Sequence, residues 1–383
     1  MGERAYDIAL FGATGFTGRL TAEYLAAHAP PGLRWAIAGR HGDRLRALRE
    51  RLGTPVDVVE ADAADERSLR ALAESSRLVV TTVGPYIRHG EPLVAACAAA
   101  GTDYTDLTGE PEFVDRVYLR HHATAERTGA RLVHACGFDS IPPDIGALYT
   151  VRHLPEGVPI RMRGYISAGG RPSGGTFDTV LTNFARWRSA GTVHSERRRA
   201  EPAPAGRRVR GLPGRPHHQP AIDVYALPMP SIDPQIVVRS ARALERYGPD
   251  FTYGHFVGAR SPFTAAGLAV AAGGAFALAQ LGPTRRALRR LLPPGSGPSA
   301  RRRAKGWFAM RFVAEGGGRR VVAEVAGGDP GYGETAKMLA ESALCLSQDD
   351  LPDLAGQLTT AVAMGDALRA RLERAGLTFR VLS

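Results

Sequence analysis

Seven residues near the N-terminus constrain this chain more than any other feature. Gly12-Ala13-Thr14-Gly15-Phe16-Thr17-Gly18 follows directly on the apolar residues 8–11 and opens a helical pattern that runs to about His28. A first glycine allows the tight turn, and a second lets the backbone approach a pyrophosphate at the free N–H groups of the helix. A third lets helix and sheet pack closely. In this strand–turn–helix setting, Gly12, Thr14, Gly15, Phe16, Thr17 and Gly18 are expected to hold a dinucleotide, although the spacing is GxxGxxG and not GxGxxG.

The next 115 or so residues alternate (about one β/α unit per 25–30). Residues 35–38, 56–59, 78–82, 103–107 and 131–134 read as strands, with helical stretches near 43–52, 67–73, 93–100 and 112–128 between them. Such alternation predicts an α/β fold, a Rossmann-type doubly wound parallel sheet. The alternation stops near Ile145, and strand-like pieces follow at 160–167, 223–227, 236–239, 307–314 and 321–326. They predict an inserted α+β second domain with a largely antiparallel sheet. The expected division is residues 1–144 for the nucleotide domain, 145–330 for the second domain and 331–383 for C-terminal helices, at 334–347 and about 358–375. The stretch 194–218, rich in Arg, Pro and Gly, reads as a mobile loop.

The second strand ends in Ala38-Gly39-Arg40, where an NAD-specific fold usually carries an acid for the ribose hydroxyl. A guanidinium there fits a 2′-phosphate, so Arg40 predicts NADP(H), with Arg44 one helical turn later. Asp62, after the third strand, is placed to accept from the adenine amine. Val83, Gly84 and Pro85 follow the fourth strand and are expected at the nicotinamide side, since ligands bind outside the carboxyl ends of parallel strands.

Taken together, the glycine loop, Gly39-Arg40, Val83-Gly84-Pro85-Tyr86, 104–110 (YTDLTGE) and 136–142 (CGFDSIP) resemble the saccharopine dehydrogenase-like oxidoreductases, with the actinobacterial trans-acting enoyl reductases as the nearest branch. Residues 173–176 (SGGT) and 331–338 (GYGETAKM) are similar to that branch too. The resemblance implies that the last helices return to the nucleotide domain. It also implies NADPH-dependent reduction of an enoyl double bond in a polyketide- or lipid-derived acyl chain, in trans to a synthase. Residues 354–360 (LAGQLTT) depart from the family's pattern, as does the basic stretch 194–218.

Enoyl reduction needs a hydride at one carbon, a proton at its neighbour and a donor for the enolate oxygen. The candidate donors are Tyr86, Tyr104 and Ser140, and the candidate acids are Asp106, Glu110 and Asp139. Tyr86, Asp139 and Tyr104 are the expected catalytic set, with Asp139-Ser140 also read as a helix N-cap. An amine or imine oxidoreductase is the competing enzyme, with Arg161, Arg163 and Arg171 as carboxylate partners. A lipid-associated NADP-binding protein without turnover is the reading from another class.

The chain has 383 residues, 49 basic and 38 acidic, a formal net charge of +11. Lys305 and Lys337 are its only lysines, so the arginine excess reflects codon bias more than a nucleic-acid surface, and no nucleic acid is expected. Cys97, Cys136 and Cys345 form no framework, and the histidines lack ligand spacing, so no metal is expected. No signal peptide precedes the first strand, which suits the cytoplasm. Residues 263–282 carry no charge, but eight of the 20 are alanine and four are glycine. A buried helix or one lying on a membrane fits this make-up better than a spanning one, with the basic residues of 283–305 able to meet anionic lipid or an acidic carrier. The expected partners are an acyl substrate, carried by a protein or free, and a peripheral membrane contact through 263–305. A homodimer stays open.

Overall fold

The computed structural model describes residues 4–169, 174–280, 282–284 and 299–383. Its strands are β1 (Tyr6–Phe11), β2 (Trp35–Gly39), β3 (Asp57–Glu60), β4 (Ser76–Thr81), β5 (Asp103–Asp106), β6 (Arg131–Val133), β7 (Ile160–Gly169), β8 (Arg208–Gly211), β9 (His217–Gln219), β10 (Val224–Pro228), β11 (Asp250–Ala259), β12 (Trp307–Gly316), β13 (Arg319–Gly327), β14 (Gly356–Leu358) and β15 (Thr378–Val381). They form two sheets. The first has the order β14-β6-β5-β4-β1-β2-β3 and is parallel throughout. Its central strands are buried on both faces, which is why residues 8–11, 35–38 and 78–80 are continuous apolar runs without alternation.

The second sheet has the order β15-β13-β12-β7-β11-β10-β9, with β8 beside β11. It is mixed and mostly antiparallel: only the β7–β11 and β8–β11 pairs are parallel. The helix Ile141–Val151 lies between the sheets and is buried on nearly every side. A Cβ at its Gly146 would come within 2.5 Å of the Phe312 ring on β12, so this helix and sheet pack at close range. The helix Gly333–Gln348 packs on Phe16–His28, where the Tyr24 hydroxyl donates to Glu341 at 2.7 Å. One hydrophobic core joins these layers, from Ile8 and Leu10 through Ile145 and Leu148 to Phe312, Val325 and Leu339.

Several local expectations change. Residues 236–239 are not a strand but part of the helix Asp233–Ala243. Their β-branched run misleads, whereas the buried positions Ile236, Val237, Ser240 and Ala241 follow helical spacing behind a proline in the first turn. The stretch 194–218 is ordered, not a loop. It holds the last turns of the helix Gly174–Ala200, then β8 and β9. Its arginines find partners far away in sequence. Arg197 is 3% exposed and donates to Asp115 at 2.8 Å. Arg207 donates to the carbonyls of Ala241 and Leu244 at 2.8 and 2.9 Å, satisfying the end of the helix Asp233–Ala243. Residues 358–375 are not one helix. β14 is followed by the short helices Thr360–Ala363 and Gly365–Arg374. The last strand, β15, pairs with β13 in the second sheet.

The helix Pro262–Ala279 is not buried. Only 11% of it lies inside the fold, its mean hydropathy is 1.6, and Phe263 and Val270 are 86% and 77% exposed. Of the basic group expected to follow it, residues 285–298 lie outside the described residues, as does Arg171.

Candidate active site

The order of the first sheet reverses at β1, whose neighbours are β4 and β2. A crevice opens outside the carboxyl ends of these strands, where open α/β sheets bind their ligands. A cavity of about 1060 Å³ occupies it. Along its floor run Gly12, Thr14, Gly15, Phe16, Thr17 and Gly18, with Arg40, Asp62, Val83, Gly84 and Pro85 around them.

The glycine turn is shaped for backbone approach. Gly12 has φ +86°, and a Cβ there would lie 2.7 Å from Val83 Cγ2. A Cβ at Gly18 would lie 2.2 Å from the Gly12 carbonyl oxygen. Only glycine fits both places, so the chain presents main chain and the N–H groups at the start of the helix Phe16–His28 to the cavity. This cradle fits a dinucleotide pyrophosphate.

At the mouth, Arg40, His41 and Arg44 stand together along the cavity. The nearby acids Asp43 and Glu60 are engaged by Arg46 at 2.6 and 3.5 Å. Arg40 donates to His41 at 3.1 Å, and neither Arg40 nor Arg44 forms an ion pair among the described residues. Asp62 receives the Ala64 N–H on Oδ1 at 3.0 Å, which shapes its turn, and the residue lines the cavity.

The expected catalytic residues separate sharply. Tyr104 is fully buried, lines no part of the cavity, and donates its hydroxyl to Asp106 Oδ2 at 2.9 Å. It is therefore a structural residue, a correction to the sequence reading. Asp106 is saturated as well: His134 Nδ1 lies 2.7 Å from Oδ2, and Oδ1 accepts the N–H groups of Thr108 and Ala135 at 3.0 and 2.9 Å. Glu110 accepts the N–H groups of Tyr86 and Ile87 at 2.9 and 2.8 Å, capping the short helix Tyr86–His89. Tyr86 does line the cavity, but its hydroxyl donates to the Thr81 carbonyl at 3.1 Å and accepts from the Leu107 N–H at 3.2 Å. That hydroxyl ties the ends of β4 and β5 together, and burial pushes its pKa well up, so Tyr86 is corrected from proton donor to wall residue. Ser140 is buried and stands at the N-cap position of the helix Ile141–Val151, as the sequence suggests, but its side chain makes no cap bond.

Asp139 differs from all of these. It lines the cavity, and its carboxylate makes no hydrogen bond or ion pair among the described residues. Burial alone pushes its pKa up to about 6. Gly109 makes room for it, since a Cβ there would lie 2.8 Å from Asp139 Oδ2. Behind it sits a buried polar group. Asp233 is held well above the usual carboxylate range by burial and by the charge of Asp139. His255 Nε2 lies 3.3 Å from Asp233 Oδ2, and burial lowers the His255 pKa to about 3. The Tyr253 hydroxyl lies 2.9 Å from His255 Nδ1.

Residues that sequence reasoning did not place complete the cavity. Phe138, Thr179, Thr182 and Met229 line it, and the segment Asp329–Thr335 closes over the glycine loop. Tyr332 sets its ring edge-on to Phe16 at 4.6 Å, and the Arg303 guanidinium stands 5.7 Å from the centre of the Phe16 ring. Thr335 donates to the Pro330 carbonyl at 2.7 Å and accepts from the Phe138 N–H at 3.3 Å, joining the lid segment to the Asp139 loop. The conspicuous Gly331-Tyr332-Gly333 was the available signal. Arg161 and Arg163, expected as carboxylate partners, are exposed on β7 and line no part of the cavity.

Residues 8–133 match the family model described as the saccharopine dehydrogenase NADP binding domain. A Mycobacterium tuberculosis protein, named provisionally as a trans-acting enoyl reductase, is 40% identical over 412 residues, covering 98% of this chain and 97% of its own. The trans-acting enoyl reductase of Mycobacterium bovis is 38% identical over 421 residues, with the same coverage of both chains. This chain belongs to the trans-acting enoyl reductase family. It is an NADP(H)-dependent oxidoreductase with the saccharopine dehydrogenase fold. The saccharopine dehydrogenase of Saccharomyces cerevisiae superposes with a TM-score of 0.59 over 98% of this chain and 99% of its own, at 10% identity.

Proposed function

We propose that this oxidoreductase reduces the α,β-double bond of an acyl thioester, presented free or on a carrier, and that Asp139 is the proton donor. The observation that carries the assignment is the Asp139 carboxyl: it faces the cavity, has no protein partner among the described residues, and holds its proton up to about pH 6. NADP(H), when bound, supplies the hydride for the β-carbon. The glycine loop would hold the dinucleotide through its main chain, and Arg40 with Arg44 would meet the 2′-phosphate. Asp62 would accept from the adenine amine, and Val83, Gly84 and Pro85 would line the nicotinamide side. Asp139 gives its proton to the α-carbon and is left as a carboxylate, which regains a proton from water. Burial raises the pKa of Asp233 behind it, which disfavours a second full negative charge beside the developing enolate.

Greasy substrates suit the outer face of the molecule. The exposed apolar helix Pro262–Ala279 follows directly on the exposed Arg260, a pairing that favours peripheral contact with an anionic bilayer from the cytoplasm. A second copy of the chain is the competing cover for this face, and solution mass separates the two. The amine or imine oxidoreductase reading loses support, because Arg161 and Arg163 stand away from the cavity.

The test is NADPH oxidation by purified protein offered 2-enoyl thioesters on coenzyme A and on a carrier protein. Oxidation that requires the enoyl group is the expected result. Tight NADPH binding without oxidation by any enoyl thioester would sink the reductase reading.

A further inference from the structure

A second cavity, of about 350 Å³, lies along the helix Gly174–Ala200, walled by Ile87, residues 110–112 and 230–231, with Phe276 of the helix Pro262–Ala279 also lining it. It shares Glu110 and Thr182 with the cofactor cavity, so the two adjoin. One face of the helix Gly174–Ala200 runs through both. Thr179 and Thr182 border the first cavity, and Thr182, Asn183, Arg186, Trp187 and Ala190 border the second. Spacings of three and four place these residues in one stripe, and the eleven steps from Thr179 to Ala190 span about 16 Å at 1.5 Å per residue.

The stripe begins beside the proton donor. A Cβ at Gly109 would lie 2.8 Å from Asp139 Oδ2 and 3.2 Å from Thr179 Cγ2, so the three residues meet at one point. It ends among rings. Phe276 stands 5.4 Å from Phe184 and 6.4 Å from Trp187, edge-on and tilted. Trp187 and Phe276 are 50% and 38% exposed.

The polar side chains of the second cavity are committed to the protein. Glu110 caps Tyr86–His89, and Glu112 holds Arg186 through two bonds of 2.7 Å. Asn183 donates to the Gly109 carbonyl at 2.9 Å, and the Ser231 hydroxyl donates to Asp233. What remains for a ligand is hydrocarbon: Ile87, Phe184, Trp187, Ala190, Pro230 and Phe276. Such a passage has no use for a small polar substrate, and it leads from the Asp139 end of the first cavity to the partly exposed rings of Trp187 and Phe276.

We propose that this groove binds the long aliphatic chain of the substrate, with the thioester end at Asp139 and the distal carbons against Trp187 and Phe276. The assignment rests on the reductase reading for its orientation, but chain binding can be measured without turnover. The probe is cis-parinaric acid, a fluorescent long-chain fatty acid that accepts energy from tryptophan. Trp187 lines the groove, whereas Trp35 is buried at the first sheet and Trp307, on β12, packs against Gly169 of the first cavity. Binding with energy transfer is expected in the parent, and Trp187→Phe should lose the share of the transfer that Trp187 supplies while the probe still reports binding. Ala190→Trp should weaken binding at least tenfold, with the NADPH titration unchanged as the check on folding.

Displacement of the probe by saturated fatty acids from octanoate to palmitate gives a readout without any substitution. Each methylene buried should tighten binding by about fourfold. A flat series, or full energy transfer in Trp187→Phe, overturns the groove. The same polyene chain offered as a phospholipid in vesicles distinguishes the sources. Transfer from the phospholipid but not from the free acid would assign the rings to a bilayer contact and overturn the groove as well. If the probe binds as expected and enoyl thioesters still consume no NADPH, the groove stands and the reductase reading falls.

Discussion

At the cofactor end of the cavity the wall is main chain. Gly12 and Gly18 leave no space for a Cβ, and seven consecutive residues make the whole cradle. At the far end the wall is side chain, from Phe184 and Trp187 on one helix and Phe276 on another almost a hundred residues later. The first surface depends on local backbone geometry, which tolerates no substitution. The second depends on two helices staying packed, and any large apolar residue satisfies most of it. A shared cofactor and a variable substrate would produce this contrast: one end is held rigid, and the other is free to change.

The contrast can be tested most severely at Gly18. Gly18→Ala should abolish NADPH binding in a fluorescence titration and cost about 1–3 kcal/mol of stability, because the Gly12 carbonyl cannot move without opening the turn. Retained binding would mean that the cradle is less rigid than its geometry. Next in size is Asp139→Asn, which should lower kcat by about 100- to 10,000-fold. In the parent, Asp139 is protonated below about pH 6, so kcat/KM should fall as pH rises through that value, and the variant should lack this limb. The folded-state pKa lies above the ordinary 3.8, so the stability Asp139 contributes is complete below that value and lost as pH rises through about 6. The variant's melting temperature should vary less with pH over that window.

Arg40→Asp should weaken NADPH binding by about 10- to 100-fold and leave NADH within a few-fold. Equal loss of both nucleotides would remove the 2′-phosphate assignment. The smallest effect is expected at the surface. Phe263→Glu with Val270→Glu should reduce flotation with anionic vesicles by about tenfold or more. Stability should stay within about 0.5 kcal/mol of the parent, since both side chains are exposed. Unchanged flotation would place any membrane contact elsewhere.

The parallel sheet was legible because its strands are buried on both faces and read as unbroken apolar runs. The glycine loop was legible because its chemistry is local. The helix Gly174–Ala200 was not legible. It carries Asn183, Arg186 and Arg197, whose partners Gly109, Glu112 and Asp115 lie some 70 to 80 positions earlier. An arginine-rich stretch read as a loop for the same reason, because composition does not reveal the acid or carbonyl waiting for each guanidinium.

Candidate acids and donors were visible as residue types, and their availability was not. Tyr104 and Asp139 look equally promising in the chain. One hydroxyl is spent on Asp106, and one carboxyl is left facing a cavity. Sequence alone determined the nucleotide cradle, the parallel core and the preference for a 2′-phosphate, since each follows from neighbours within a turn or a strand. Tertiary structure decided which polar groups are already satisfied, what closes the cavity and where its apolar passage leads. Those properties depend on partners brought together from distant segments, and nothing local to either partner records the meeting.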